Sequence, residues 1–329
     1  MTVSPTESLA SRRVAALSPG RRRLKIGLLN NMPDAAVCAT ERQFGDLLRA
    51  AAGGVNIDLA LIALPGTPRS PRALARMAGL YEDARAIGEA GLHGLIVTGA
   101  EPRAERLDGE PYWADLAAVA DWTRAASIPT IWSCLAGHAA VLRFDAIERR
   151  PLSVKLSGVF RSGAVSDDPL VAGAPYHFAT PHSRLNGLDP DDLARHGYQI
   201  LTLSPVAGVD AFVRRDFGAL HLFLQGHPEY DADTLKREYA RDVSRFLRGE
   251  RATHPRTPSN YFDPATEARL GELADRARRD PRPVRMAGYE AALAEASTHR
   301  TWRGSALRLY RNWLAEVASA AAASQLAAS

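Results

Sequence analysis

Cysteine is scarce in this sequence, with only Cys38 and Cys134 among 329 residues. The two lie far apart, and neither belongs to a Cys-x-x-Cys or a mixed Cys/His spacing, which argues against a disulfide scaffold and a structural zinc site. Free thiols are typical of a protein in a reducing cytoplasm, which is the localisation that we predict. We expect no metal site.

Long apolar runs are missing as well. No segment approaches the ~20 apolar residues that a membrane-spanning helix requires, so the sequence predicts no membrane partner. Residues 1–24 contain several arginines but lack the apolar centre of a secretory signal. We predict that they form a disordered basic leader.

A large excess of one charge is also absent. The chain carries 41 basic and 37 acidic side chains, a net charge of +4. Such a small excess of positive charge indicates no nucleic-acid partner. Lysine is rare among the basic residues, because only Lys25, Lys155 and Lys236 occur. We attribute the surplus of arginine to a GC-rich coding sequence, which makes a lysine within an apolar segment notable.

Short apolar runs alternate with helical periodicity in the first half of the chain. The predicted strands are 26–29, 55–64, 95–97 and 129–132, and the predicted helices are 41–52, 72–90 and 113–126. Continuous apolar runs are typical of strands buried on both faces of a parallel sheet. The alternation predicts an α/β fold with a doubly wound, mostly parallel sheet.

The second half begins with strand-like segments separated by Gly, Pro and Asp turns. The predicted strands are 154–160, 177–180, 198–203, 210–214 and 219–224, and the predicted helices are 231–247, 265–278, 285–295 and 305–323. We interpret the strands as a β-rich insertion whose last strand rejoins the sheet. Residues 25–250 would then form the α/β catalytic domain, and 251–329 a helical C-terminal extension packed on it.

Cys134 is the candidate nucleophile. It follows the apolar strand 129–132, and small residues then open a helix, so its thiol is predicted at a strand-to-helix turn. A helix N-terminus lowers the pKa of a thiol, and its free N–H groups can hold an oxyanion. Leu135 and Asn31 are our oxyanion candidates. An inert buried cysteine is the alternative interpretation, and we expect Cys38 to serve packing.

His227 and Glu229 are the candidate partners of the thiol. They follow the apolar strand 219–224, and residues i and i+2 of an extended segment point the same way. Glu229 would then orient His227, and His227 would act as the base for Cys134, as in catalytic triads. The remaining histidines, such as His93 and His138, are better explained as core or surface residues.

A set of motifs along nearly the whole chain carries a family resemblance. They are LNNMP (29–33), GLIVTGA (94–100), YW (112–113), KLSGV (155–159), PHSR (181–184), GHPEYD (226–231), RDV (241–243), NYF (260–262), WR (302–303) and NW (312–313). The chain resembles the homoserine O-acyltransferase family of methionine biosynthesis. That family is related to the class I glutamine amidotransferases and shares their flavodoxin-like sheet.

The resemblance implies a two-step acyl transfer from an acyl-CoA to homoserine through a cysteine thioester. Succinyl-CoA or acetyl-CoA enters as a co-substrate, and no tightly bound cofactor is implied. Matching positions imply that Lys155, Ser183 and Arg241 contact substrate, and relatives imply a homodimer. Glu238 lies three residues before Arg241 and so shares one helix face with it, and we add Glu238 to the substrate-binding candidates. A carboxylate beside a guanidinium suits an amino acid, although a surface ion pair is the alternative.

The sequence departs from the family pattern in three places. Relatives usually carry lysine after Met32-Pro33, where this chain has Asp34, and Leu135 and His138 replace a Trp and a Gln that usually follow the nucleophile. In the loop after 98–100, where relatives differ between succinyl and acetyl use, this chain carries Arg103. Its guanidinium would pair with the free carboxylate of a succinyl group, unless it is simply a solvated loop residue.

Three hypotheses about the function follow. The leading one is an amino-acid O-acyltransferase, with homoserine and succinyl-CoA as substrates and with serine, another hydroxy amino acid or acetyl-CoA as variants. The second is a glutamine amidotransferase or cysteine hydrolase on the same fold. The third is a binding protein that keeps the fold without catalysis.

Overall fold

The computed structural model describes residues 23–173, 177–216 and 218–328. Residues 1–22 of the predicted leader lie outside this part of the chain. The strands are β1 (Arg23–Leu29), β2 (Asn56–Ala63), β3 (Tyr81–Asp83), β4 (Gly94–Thr98), β5 (Thr130–Ser133), β6 (Arg150–Ala164), β7 (His177–Gly187), β8 (Gln199–Ser204), β9 (Gly208–Asp216) and β10 (Ala219–Leu224). The helices are α1 (Val37–Ala51), α2 (Pro71–Met77), α3 (Trp113–Ala125), α4 (Leu135–Asp145), α5 (Pro190–Arg195), α6 (Thr234–Leu247), α7 (Pro264–Arg279), α8 (Met286–Glu295) and α9 (Arg303–Ala328).

These strands form one sheet in the order β3-β2-β1-β4-β5-β10-β9-β8-β6-β7. Neighbouring strands from β3 to β10 pair in parallel, and those from β10 to β7 pair antiparallel. The predicted mostly parallel sheet is therefore confirmed. The last strand of the β-rich insertion, β10, rejoins the parallel part by pairing with β5.

Helices cover both faces of the parallel strands. On one face, α3 and α4 pack against side chains such as Val97 and Trp132. On the other face, α1 and α9 pack against side chains such as Leu28 and Ile131. Successive side chains along each strand point to opposite faces of the sheet, so each strand contributes buried side chains to both cores. The sheet is doubly wound, as the sequence predicts.

The C-terminal helices contribute to the core of the chain. Trp313 of α9 is fully buried in the core on the α1 face, and Trp302 is buried among side chains of α6, α7 and α8. Both tryptophans are thus part of the interior of one chain. No helix in residues 23–173, 177–216 or 218–328 is long and apolar enough to span a bilayer.

Two sequence-based predictions are wrong. The stretch 72–90 is not one helix, because α2 ends at Met77, Gly79 adopts a positive φ of 73°, and the edge strand β3 and a short 3-10 helix follow. Glycine reaches this left-handed conformation without steric cost, and it reverses the chain there. Cys38 does not serve packing, because its side chain is exposed on the first turn of α1.

Candidate active site

Cys134 lies at the turn between β5 and α4. Its φ of 51° and ψ of −115° belong to a region that a residue with a side chain seldom adopts. Its N–H donates to Leu224 O at 2.6 Å, which ties the turn to the end of β10. A strained turn from a strand into a helix presents a nucleophilic side chain at the edge of a sheet. The thiol is partly exposed, as a nucleophile requires.

The start of α4 offers free N–H groups beside the thiol. Leu135 is the first residue of α4, and the first N–H groups of a helix have no acceptor within it. Gly99 approaches this turn so closely that a Cβ would lie 2.5 Å from Leu135 Cβ. A cavity of about 10 Å³ beside the turn is lined by Gly99, Leu135, Asn31 and Tyr112. The Leu135 N–H at the start of α4 stays our candidate for stabilising an oxyanion on a group bound to Cys134.

Asn31, the second oxyanion candidate, is engaged by its neighbours. Its N–H donates to Thr98 Oγ1 at 2.9 Å, its Oδ1 accepts from the Thr67 hydroxyl, and its side chain also hydrogen-bonds Tyr112. The donor that Asn31 would offer an oxyanion is therefore its side-chain amide, which also contacts Tyr112.

His227 and Glu229 lie together in the turn after β10. His227 Nδ1 is 2.7 Å from Glu229 Oε1, and both side chains are buried. The backbone that brings them together differs from the predicted extended segment. Residues 227–230 form a turn in which the Tyr230 N–H donates to His227 O at 3.2 Å. Since β10 pairs in parallel with β5, this turn lies beside the one that carries Cys134.

The charge state of His227 is set by its two partners. Burial alone would lower the pKa of the imidazole. The negative charges of the Cys134 thiolate and of Glu229, together with hydrogen bonds to both side chains, outweigh burial and raise that pKa well above 6.5. A protonated imidazole beside a thiolate is the arrangement of an activated cysteine nucleophile.

Tyr230 connects His227 to Glu238. Its ring stacks on the imidazole, with centroids 4.3 Å apart, and its hydroxyl donates to Glu238 Oε1 at 2.7 Å. Glu238 Oε2 is buried without a hydrogen-bond partner in the described part of the chain. A buried carboxylate oxygen without a donor is costly, so it is a natural place for an ammonium group of a ligand.

Asp242 lies among three cations. Its carboxylate is 2.8 Å from Lys155 Nζ, 3.0 Å from an Arg241 NH2 group and 3.4 Å from Arg251 NH1. Burial would raise the pKa of Asp242, but Lys155 and Arg241 hold it below its usual range. Asp242 alone does not neutralise three cations, but the charges of Glu238 and Glu101 also act on Arg241. The cluster offers ammonium and guanidinium donors, which suit an anionic group of a substrate.

The two remaining predicted residues lie on separate elements. Ser183 of β7 pairs with Ser157 of β6, two residues after Lys155 on the same strand. Arg103 is exposed, and its N–H donates to the buried Glu110 Oε1 at 2.6 Å. The charge of Arg103 acts on the hydroxyl of Tyr112, a lining residue of the cavity beside Leu135. Sequence reasoning missed Glu110, which shapes this loop.

Comparisons with known proteins identify the family of this chain. The family model for homoserine O-succinyltransferase matches residues 7–323. The chain is 48% identical to the homoserine O-succinyltransferase of Methylorubrum extorquens over 92% of this chain and 90% of the relative. It is 46% identical to that of Rhodopseudomonas palustris over 96% of both chains. The chain belongs to the homoserine O-succinyltransferase family.

Members of the homoserine O-succinyltransferase family are acyltransferase enzymes, and the family resemblance seen in the motifs is confirmed. Among solved structures, the chain is similar to a glutamine amidotransferase from Methylobacillus flagellatus, with 17% identity, a TM-score of 0.48 and coverage of 90% of this chain and 96% of that chain. A glutamine amidotransferase from Thermotoga maritima gives 14% identity, a TM-score of 0.46 and coverage of 89% and 97%.

In this family member, a buried pair behind the turn that carries His227 escaped the sequence analysis. His182 Nε2 lies 3.2 Å from Asp210 Oδ1, and Thr180 Oγ1 donates to Asp210 Oδ2 at 2.9 Å. A Cβ on Gly226 would lie 3.0 Å from His182 Nε2, so the pair packs directly against the residue before His227. The signal for it is the motif at 181–184, whose histidine precedes the predicted Ser183.

Asp34, which stands where relatives usually carry lysine, is paired with Arg69. The buried guanidinium of Arg69 lies 3.3 Å from Asp34 Oδ1 and donates to Asn30 O at 3.0 Å and to Met32 O. Arg69 thereby fixes the segment that carries Asn31. In the described ranges, no group of three His, Cys, Asp or Glu side chains is arranged to hold a metal.

Proposed function

We propose that this chain transfers a succinyl group from succinyl-CoA to the γ-hydroxyl of L-homoserine through a thioester on Cys134. The observation that carries the proposal is the contact of His227 with both Cys134 and Glu229 at the carboxyl edge of the sheet. This arrangement provides a nucleophile, a base and a group that orients the base.

In the first step, the Cys134 thiolate attacks the thioester carbonyl of succinyl-CoA. The Sγ–C bond forms, the negative charge moves to the carbonyl oxygen, and the Leu135 N–H stabilises it. When the tetrahedral intermediate collapses, the bond to the CoA sulfur breaks. The CoA sulfur takes the proton of the protonated His227 imidazole, whose raised pKa favours that protonated form, and CoA leaves as a thiol.

In the second step, neutral His227 takes the proton of the homoserine hydroxyl, and the oxygen attacks the Cys134 thioester. The new ester bond forms as the bond to Sγ breaks, which restores the thiolate and the imidazolium. Glu229 accepts the hydrogen bond from Nδ1 of His227, so that Nε2 is available for proton transfer.

The charges around the site favour an amino-acid acceptor. Lys155 and Arg241, which lie beside Asp242, would donate hydrogen bonds to the carboxylate of homoserine. Glu238 Oε2, which is buried without a partner among the described residues, would bind its ammonium group. Because Tyr230 joins Glu238 to His227, the acceptor would be held with its hydroxyl near the base.

Mass spectrometry of the protein mixed with succinyl-CoA tests the proposal. We expect one succinyl adduct on Cys134 and its loss, with formation of O-succinylhomoserine, when homoserine is added. Cys134→Ala should show neither adduct nor turnover, while Cys38→Ala, which removes an exposed thiol on α1, should keep both.

Three outcomes would contradict the proposal in different ways. Turnover by Cys134→Ala would exclude the thioester mechanism. An adduct from acetyl-CoA alone, or its discharge by serine and not by homoserine, would change the donor or the acceptor. Release of ammonia from glutamine without any acyl adduct would favour an amidotransferase or hydrolase.

A further inference from the structure

The segment between α8 and α9 reaches back to the turn that carries the triad glutamate. Arg300 Nε donates to Tyr230 O at 2.8 Å, and its NH2 group donates to Glu229 O at 3.0 Å. Trp302 Nε1 donates to the same Tyr230 O at 3.0 Å. Arg300 NH1 also lies 3.6 Å from Asp231 Oδ1. Two side chains of the C-terminal region therefore hold three consecutive residues of the turn.

These contacts fix main-chain atoms that the turn itself fixes only weakly. Residues 227–230 belong to neither a helix nor a strand. The His227 N–H donates to Pro181 O at 2.7 Å, which holds the start of the turn, whereas a bond of 3.2 Å from the Tyr230 N–H to His227 O closes it. The position of the Glu229 carboxylate relative to His227 depends on the path of this backbone. Carbonyl groups that accept bonds from a guanidinium and an indole have little freedom to rotate.

The two donors are well suited to this task. Trp302 is almost fully buried and packs in the core formed by α6, α7 and α8, so its indole N–H is immobile. Arg300 is about three-quarters buried and uses the planar guanidinium to reach adjacent carbonyl groups at once. Neither side chain contacts Cys134 or the cations around Asp242 through any hydrogen bond found in the described chain.

We propose that Arg300 and Trp302 are positioning residues for catalysis, which hold the turn 229–231 so that Glu229 keeps His227 oriented toward Cys134. This inference rests on the proposed function, because it assigns the two residues to the triad of that reaction. It gives the C-terminal region a role in the chemistry as well as in the core.

Arg300→Gln, Arg300→Lys and Trp302→Phe test this role, with Arg311→Gln as the matched control. Arg311 is an exposed arginine on α9 and touches no part of the turn. We expect Arg300→Gln to lower kcat about tenfold with the KM of both substrates within twofold of wild type. Arg300→Lys, which keeps the positive charge on one donor nitrogen, should recover part of kcat. Trp302→Phe, which keeps an aromatic ring and loses the indole N–H, should lower kcat less than Arg300→Gln does.

A second readout separates positioning from general stability. The His227 imidazole, followed by NMR in the unacylated protein, should titrate at lower pH in Arg300→Gln because Glu229 moves away from it, and Arg311→Gln should match wild type. An unchanged His227 titration, or a loss of kcat fully explained by unfolded protein, overturns the positioning role. This readout needs no turnover, whereas failure of the proposed function appears separately as a missing succinyl adduct on wild-type Cys134.

Discussion

The ring of Tyr230 lies on the imidazole of His227, with centroids 4.3 Å apart and planes 15° from parallel. The same tyrosine donates its hydroxyl proton to Glu238 at 2.7 Å. One side chain thus contacts the proposed base through its face and the proposed ammonium site through its hydroxyl. The base and the acceptor site are therefore separated by a single rigid ring.

Removing only the hydroxyl should weaken acceptor binding. Tyr230→Phe keeps the stacked ring and removes the bond to Glu238, so we expect the KM for homoserine to rise about tenfold, the usual effect of losing a hydrogen bond to a charged group. The KM for succinyl-CoA and kcat should stay within about threefold. Tyr198→Phe is the control, because it removes a hydroxyl bound to Asp145 outside the site. Equal changes in the two variants would contradict the link between Tyr230 and the acceptor.

The ionisation of His227 should depend on both of its partners. Because the charges of Cys134 and Glu229 hold its pKa above 6.5 against the effect of burial, Cys134→Ala and Glu229→Gln should each make the imidazole titrate at lower pH. NMR titration of the ring measures this shift directly, with the signal of the exposed His196 as a reference in the same spectra. If His227 titrates at the same pH in both variants and in wild type, the pairing of His227 with Cys134 and Glu229 has no part in the mechanism.

The same shift has a consequence for stability. A histidine whose pKa is raised on folding stabilises the folded state fully below its unfolded pKa of about 6.5, and this contribution is lost as pH rises through the folded pKa. The difference in the free energy of unfolding between wild type and Glu229→Gln should therefore be largest near pH 6 and should shrink in alkaline buffer. Urea unfolding of both proteins at several pH values measures this difference in the free energy of unfolding. A difference that grows with pH would contradict a pKa of His227 that is raised on folding.

Lys155 should matter for the anionic part of the acceptor. Lys155→Met removes one of the three cations around Asp242, so we expect the KM for homoserine to rise by about 10- to 100-fold with little change in kcat. Lys25→Met is the control, since Lys25 lies in β1, where it is paired with Glu82, far from the carboxyl edge of the sheet. Unchanged homoserine binding in Lys155→Met would show that Lys155 only neutralises Asp242.

Arg103 is proposed to set the choice of acyl group. Arg103→Ala should reduce the ratio of kcat/KM for succinyl-CoA to that for acetyl-CoA by about tenfold, because a carboxylate loses its cation. Arg106→Ala is the control, as Arg106 is exposed in the same loop and paired with Asp108 and Glu148. If Arg103→Ala leaves the ratio as it is in wild type, Arg103 is a solvated loop residue and the donor is selected elsewhere.

Local pattern was sufficient for the strands other than β3 and for the turn that carries Cys134. A run of apolar residues that ends in small residues before a helix defines the β5–α4 junction, so Cys134 could be placed from the sequence. The proximity of His227 and Glu229 could also be predicted from the sequence, although the backbone forms a turn where an extended segment was expected. The stretch 72–90 failed because Gly79 interrupts a helical pattern that continues on both sides of it.

The sequence by itself determined the doubly wound sheet and the placement of Cys134, His227 and Glu229 just after two of its strands, because hydrophobic periodicity and strand ends are local properties. Only the tertiary structure decided which groups meet around them: Arg300 binds carbonyls 70 and 71 positions away, and Lys155 binds Asp242 across 87 positions. Such contacts depend on how the C-terminal helices pack against the sheet. That packing is a sum of many apolar contacts, and no single motif encodes it.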